Sequence, residues 1–379
     1  MLSLSISLLV ALLSVSFNPM GNNIGDVIVY YKAFLNEDFI DTFLNLKFYR
    51  ISVFQIMYKL DLSVKYYSFI SIFLIFSLYS LYLYNFIGLF DLSINRKRNK
   101  LLFLTVIFSS IPFFVLSSFE NTLAFIFISN GVIFGYKKKK LLCSIFFTLA
   151  LISHSSSIIF VVIYILSYGI KRLNYSFVIS SSLFLVSFLY VIAFSSPYVE
   201  LPIIGYYTSR LGYYMTGPWS TYIGTLEYFL LLSALCKMVM LYLITKRKKA
   251  EKYDDFETFL FRMIGLYLVF CLLFIYSRTL NLRYIHIGFL IFSPYLYVCI
   301  MKGRLNSIIN SIFSVFLLFS LFSLHNIYYV FGMQKNTSFA PDSFFFSSFE
   351  NYLNSGFDLP SGRYILQSRK ERVDSNNSQ

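Results

Sequence analysis

Charge is scarce in this chain of 379 residues. Asp, Glu, Lys and Arg together make up 13% of it, about half the share of an average soluble domain. A soluble protein of this length would be two or three domains with charged surfaces to cover, so that architecture is excluded. Catalytic signatures are missing too. There is no GxxxxGKS phosphate loop, HExxH, GxSxG or DxD pair, which leaves ATPase, metalloprotease and serine hydrolase assignments without a motif. The four cysteines, Cys143, Cys236, Cys271 and Cys299, lie in or beside apolar runs with no CxxC or metal-ligand spacing. They read as packing residues, and neither a metal nor a cofactor is expected.

What is abundant is apolar. Hydrophobic residues make up 57% of the chain and the mean hydropathy is +0.67. At about 20 residues per crossing, that is enough for roughly ten membrane-spanning helices. Acids are the scarcer sign: 32 Lys and Arg face 18 Asp and Glu, a net charge of +14. In a soluble protein such an excess would serve phosphates of nucleic acid. Here half of the basic residues sit in five clusters between apolar runs, where they report orientation instead, and no nucleic-acid partner is expected. The clusters are Arg96–Lys100, Lys137–Lys140, Lys171–Arg172, Lys246–Lys249 and Lys302–Arg304.

The apolar runs are Leu2–Phe17, Tyr66–Phe90, Leu101–Leu116, Phe119–Tyr136, Leu141–Ser153, Ser155–Ile170, Tyr175–Phe194, Ile223–Ile244, Phe259–Tyr276, Tyr284–Ile300 and Ile308–Phe331. The first lacks a basic n-region and a small-residue cleavage site, so it reads as a retained helix. An amphipathic piece near Tyr49–Leu60 precedes the second. If all five clusters face the cytoplasm, each stretch between them crosses an even number of times. Leu141–Ile170, with a basic cluster at each end, must then be two short helices turning at Ser153-His154-Ser155-Ser156-Ser157. The expected fold is therefore all-α: a polytopic integral membrane domain over residues 1–331 with about eleven hydrophobic helices, N-terminus inside. A polar tail over 332–379 would lie outside, although its Arg363, Arg369, Lys370 and Arg372 pull the other way.

That topology gathers a set of polar residues on the outer face. His154 at the hairpin turn is a proton carrier near neutral pH, or else a cap on the helix break. Arg278 and Arg283 flank an outward turn at Thr279-Leu280-Asn281-Leu282. In one continuous helix they would stand about 140° apart, whereas across a turn both enter one mouth. Paired guanidinium groups suit a diphosphate; the alternative is two arginines snorkelling at the interface. His286 reads as a core hydrogen-bonding residue. The loop Ser195–Tyr222 holds Arg210 between two Tyr-Tyr pairs, with Trp219 nearby, a composition that suits a glycan or, equally, an aromatic belt. Asp26 in the first outer loop is a candidate base or sugar-hydroxyl ligand. Glu120, opening the Phe119–Tyr136 run, suits the helix dipole.

Several of these features together resemble the EpsG-like branch of the Wzy-type polysaccharide polymerases. The matching residues are Gly25-Asp26 followed by Tyr30, Ala124 in a helix leading to Lys137–Lys140, and LLCSIFFTLALISHSSSIIF with His154 at its break. Arg278…Arg283-Tyr284 matches the family's arginine-before-aromatic helix start. One departure is Glu120, where the family pattern has an arginine four residues before Ala124. The resemblance implies a bacterial inner-membrane, multi-pass glycosyltransferase related to the GT-C architecture. It would act on undecaprenyl-diphosphate-linked oligosaccharide within membrane lipid, in the synthesis of O-antigen, capsule or exopolysaccharide, and it allows a chain-length regulator as partner. On that basis Arg278 and Arg283 would hold the diphosphate, Arg210 and Trp219 the diphosphate or glycan, and His154 and then Asp26 the acceptor and its proton. A flippase or transporter of the same lipid-linked glycan, and a membrane O-acyltransferase using His154, are the competing classes.

Overall fold

The computed structural model describes residues 48–60, 65–90, 119–169, 225–245 and 255–302, together with Leu62, Leu92 and scattered positions in 4–11, 180–191 and 209–220. Among the described residues there is no strand. The main helices are α1 (Phe48–Lys59), α2 (Lys65–Gly88), α3 (Phe119–Tyr136), α4 (Lys140–Ser153), α5 (Ile158–Gly169), α6 (Thr225–Thr245), α7 (Asp255–Phe274) and α8 (Ser293–Met301). Phe69–Gly88 and Asp255–Phe274 are long and apolar enough to cross a membrane. Arg278–Ile291 and Ser293–Cys299, bent by 44° at their junction, make a third such span if counted together. The expected runs Leu101–Leu116 and Ile308–Phe331 and the tail 332–379 lie outside the described residues, as do most of Leu2–Phe17 and nearly all of Tyr175–Phe194.

Three polar contacts along α2 and α3 show that the two helices run parallel. Tyr67 meets Glu120 at one end, Asn130 donates to the Leu78 carbonyl midway (3.2 Å), and Lys137 donates to Asn85 Oδ1 at the other end (2.9 Å). The two helices are therefore neighbours pointing the same way. Their C-termini therefore share one end of the bundle, each leading into a basic cluster. Lys302, 4.9 Å above the Phe90 ring, marks the same end. So does the start of α7, where Phe256 packs on Tyr136 (4.6 Å) and Phe90 (5.6 Å).

The chain reverses after α3 within three residues, Lys137–Lys139. Lys139 N–H bonds back to the Phe134 carbonyl and Lys138 N–H to that of Gly135, the crossed pair of a Schellman cap. Lys138 takes the left-handed position, φ 59°, that glycine usually fills. The α3–α4 pair then packs closely because α3 carries glycine where α4 and α5 approach. A Cβ on Gly131 would stand 2.6 Å from the Phe147 ring, and one on Gly135 would overlap the Tyr164 hydroxyl. Small residues at such crossings bring helices together where no water drives their association.

α4 and α5 are the two short helices expected from the charge pattern, 14 and 12 residues long, and they meet at His154. α5 returns to the basic end, antiparallel to α7: Phe160 lies on Tyr267 (5.5 Å) and Tyr168 on Phe259 (4.7 Å).

Two expectations need correction. The turn after α7 falls at Ile275–Ser277, before Arg278, and not over Thr279–Leu282. The expected Tyr284–Ile300 helix is interrupted: a short α-turn (Arg278–Leu280) runs into a π-helix (Asn281–His286), a 3-10 turn (Gly288–Ile291) and then α8.

Gly135→Ala is expected to lower the thermal unfolding midpoint of the detergent-solubilised protein, since overpacking of this kind costs about 1–3 kcal/mol. Tyr164 has little room to yield, with Phe147 and Tyr168 rings at 4.8 and 5.0 Å. Gly88→Ala, whose Cβ would meet nothing within 4 Å, should leave the midpoint unchanged.

Candidate functional site

Opposite the basic end, the N-terminal ends of α2 and α3 meet the hairpin tip between α4 and α5. His154 closes α4 with its backbone N–H on the Ala150 carbonyl and opens the Ser155–Ser157 turn by accepting the Ser156 N–H at Nδ1 (3.1 Å). A backbone amide can only donate, so Nδ1 is an acceptor and the ring proton resides on Nε2. The imidazole thus caps the helix break, as one of its two sequence readings has it. Its Nδ1, engaged by that amide, is not available as a basic nitrogen. Ser156 Oγ in turn donates to Asn121 Oδ1 at the head of α3 (3.0 Å).

Beside Asn121, Glu120 is buried and paired in two-pronged fashion with Arg50 of α1, Nη2 to Oε2 being 2.6 Å and Nε meeting Oε1. The Tyr67 hydroxyl adds a third bond to Oε1 at 2.9 Å. Next to it, Tyr49 and Ser71 share a hydroxyl contact of 2.9 Å, and burial holds the Tyr49 phenol well above its usual range. Glu120 therefore does more than face a helix dipole: it ties the short α1 helix to the bundle. Arg50, 70 residues earlier in the chain, supplies its guanidinium from α1.

The second part of this end is built by the segment after α7. Ser277 caps the Arg278–Leu280 turn by accepting the Leu280 N–H (3.3 Å), and donates its own proton to the Tyr214 carbonyl (2.8 Å). Arg278 N–H bonds to the Ser220 carbonyl (2.9 Å). The Arg283 guanidinium lies 4.5 Å from the centroid of the Tyr214 ring, a cation–π contact. The described residues Tyr214 and Ser220 thus lie against the Arg278–Arg283 segment, one through a ring and the other through a backbone carbonyl. Gly217 lets that loop turn: a Cβ there would overlap the Tyr213 carbonyl. Arg210, Trp219 and Asp26 lie outside the described residues.

The π-helix changes the angle between the two arginines. An i→i+5 winding takes more residues per turn, so Arg283 swings back towards Arg278 from the α-helical 140° or so. Tyr267 of α7 holds this winding, its hydroxyl shared between the Tyr284 and Ile285 carbonyls at 3.0 and 2.9 Å. Gly288 just beyond lets Phe160 and Tyr267 approach within 2.6 and 3.0 Å of where a Cβ would stand.

Deeper in the bundle, Lys237 of α6 is 3% exposed and contacts His286 Nδ1 at 2.8 Å, with the Phe289 ring 5.5 Å away. His286 is the core hydrogen-bonding residue expected. Lys237 was not singled out from the sequence, although the signal was plain: one lysine midway along an apolar helix is a functional candidate by default. Arg50 carried no comparable signal. Among the described residues no group of three His, Cys, Asp or Glu is placed to hold a metal ion.

Compared with models of known families, with curated proteins and with solved structures, the chain matches none. Function must therefore be argued from the groups themselves.

Breaking the Arg50–Glu120 pair from one side strands a buried charge, which costs about 3–5 kcal/mol. Glu120→Gln is expected to lower thermal stability by that order, and the double change Arg50→Met with Glu120→Leu to recover most of it, as read from unfolding midpoints in detergent.

Proposed function

We propose that the protein is a membrane polysaccharide polymerase, which moves a growing glycan from its undecaprenyl diphosphate onto a sugar hydroxyl of the next lipid-linked repeat. The observation that carries the proposal is the meeting of Arg278, Arg283 and the Tyr214 loop at the bundle end opposite the basic clusters. With those clusters cytoplasmic, this end is extracytoplasmic, and the protein is a multi-pass protein of the bacterial inner membrane with about eleven crossings.

The chemistry needs no nucleotide, because the lipid diphosphate is already an activated leaving group. The acceptor hydroxyl oxygen attacks the anomeric carbon of the chain. The bond from that carbon to the diphosphate breaks, and its electron pair departs on the diphosphate. Arginines preorganised at that point stabilise the charge that develops there. His154, with its proton on Nε2, acts as a donor that orients acceptor or leaving group, and Asp26 remains the candidate to take the hydroxyl proton. Arg210 and Trp219 complete the glycan side, and a chain-length regulator is a partner of the same reading.

One observation favours a transporter of the same lipid-linked glycan instead. The broken π/3-10/α8 span and the buried Lys237–His286 pair resemble the interrupted helices and internal ionisable groups on which transporters build their sites.

Liposomes holding the purified protein and lipid-linked repeats separate the two: a polymerase lengthens chains, while a transporter only relocates them. Deleting the gene is expected to reduce the surface glycan to single repeats on a gel ladder. Arg278→Ala and Arg283→Ala should do the same with expression unchanged. A full ladder from the deletion strain, with no second polymerase present, overturns the proposal.

A further inference from the structure

Lys237 sits near the middle of α6, roughly 18 Å along the axis from Thr225 at 1.5 Å per residue. Its ammonium has three protons to donate. One meets His286 Nδ1 at 2.8 Å, and the Phe289 face lies 5.5 Å off. Among the described residues the remaining two meet no acceptor, and no carboxylate faces the group. Arg283, three residues before His286 on the same π-helix, is in a similar position. Its guanidinium stacks on Tyr214 and takes no hydrogen-bond acceptor or carboxylate among the described residues. Lys237, fully buried, and Arg283, one turn before its partner His286, are costly to hold as charges without a counter-charge. The same bundle shows how it meets that cost where the charge is structural: Arg50 has Glu120, bound at both prongs, with Tyr67 added. Lys237 and Arg283 have been given aromatic faces in place of a carboxylate, and they flank a π-helix, an irregularity found frequently at functional sites.

We propose that Lys237, Arg283 and His286 form an internal anion site between α6 and the π-helix, which takes a phosphate-class group. Arg283 supplies the two-pronged contact at the mouth, and Lys237 is a point charge one turn deeper. His286 holds the ammonium in place by accepting one of its protons, leaving the other two for phosphate oxygens. Identifying this anion with the substrate's diphosphate rests on the polymerase reading; the anion site itself does not. The phosphate chemistry has two sources, a lipid headgroup or a free inorganic anion, and these are distinguishable.

The test uses the full chain in phosphatidylcholine nanodiscs, following the unfolding midpoint against added inorganic pyrophosphate in one arm and undecaprenyl diphosphate in the disc in the other. A saturable rise is expected with the lipid, or with both if the site reads phosphate alone. Lys237→Met and Arg283→Gln should each weaken the half-saturating concentration at least about tenfold, while Lys302→Met, at the opposite end, changes nothing. Because an apolar side chain of similar length removes a buried charge, Lys237→Met should unfold no earlier than the parent without ligand, so lost binding is not lost folding. No saturable rise in either arm, or a Lys237→Met response equal to the parent's, overturns the site. If Lys237→Met abolishes the anion response but the parent fails to elongate lipid-linked repeats in liposomes, the site stands and the polymerase reading falls. If Lys237→Met elongates at the parental rate and Arg283→Ala does not, the reverse holds.

Discussion

A chain this apolar offers its buried polar groups almost no water, so most of those described find their partner within the protein. The serines show the simplest solution: Ser129, Ser153 and Ser167 each donate to the carbonyl four residues earlier on their own helix, at 2.6–2.8 Å. Asn130 divides its amide between the Ile126 carbonyl of its own helix and the Leu78 carbonyl of α2. Tyr79 and Ser293 join α2 to α8 in the same way (2.8 Å). Satisfaction first within a helix, then across a helix pair, fixes rotation and depth of elements that apolar packing alone would let slide, since one aromatic ring packs on a neighbour about as well as another.

The same constraint separates what could be read from the residues in order from what could not. The limits of α3 and the break at His154 follow from local features, an apolar run closed by four lysines and a short polar island between two such runs. Both appear where expected. The common end shared by the helices leading into basic clusters was likewise legible, because charge placement is a one-dimensional signal. The π-helix was not. Its cause is Tyr267, on another helix, whose hydroxyl takes up two carbonyls of the irregular turn, and no local pattern in Asn281–His286 announces it. The Arg50–Glu120 pair spans 70 residues and Lys237–His286 spans 49. Pairings at such distances are a property of the folded bundle, so Glu120 read as a helix-dipole residue and Lys237 passed unremarked.

Within the site, rigidity is unevenly distributed. The hairpin tip is locked by its own backbone: His154 spends one nitrogen as a cap and Ser156 spends its hydroxyl on Asn121. The arginine side rests on a loop held through Ser277, Ser220 and a single stacked tyrosine. The hairpin tip is thus fixed within its own few residues, whereas Arg278 and Arg283 are placed by contacts with residues some sixty positions earlier in the chain.

The parallel course of α2 and α3 also dictates an order of assembly. Arg50 and Tyr67 leave the ribosome long before Glu120, and their bonds to it cannot form until α3 has been made. Through that interval the guanidinium of α1 lacks the carboxylate that receives it in the folded bundle. Docking of α1 is thereby made conditional on the arrival of α3. The newborn protein closes this end of the bundle only after the hairpin that completes it has been synthesised.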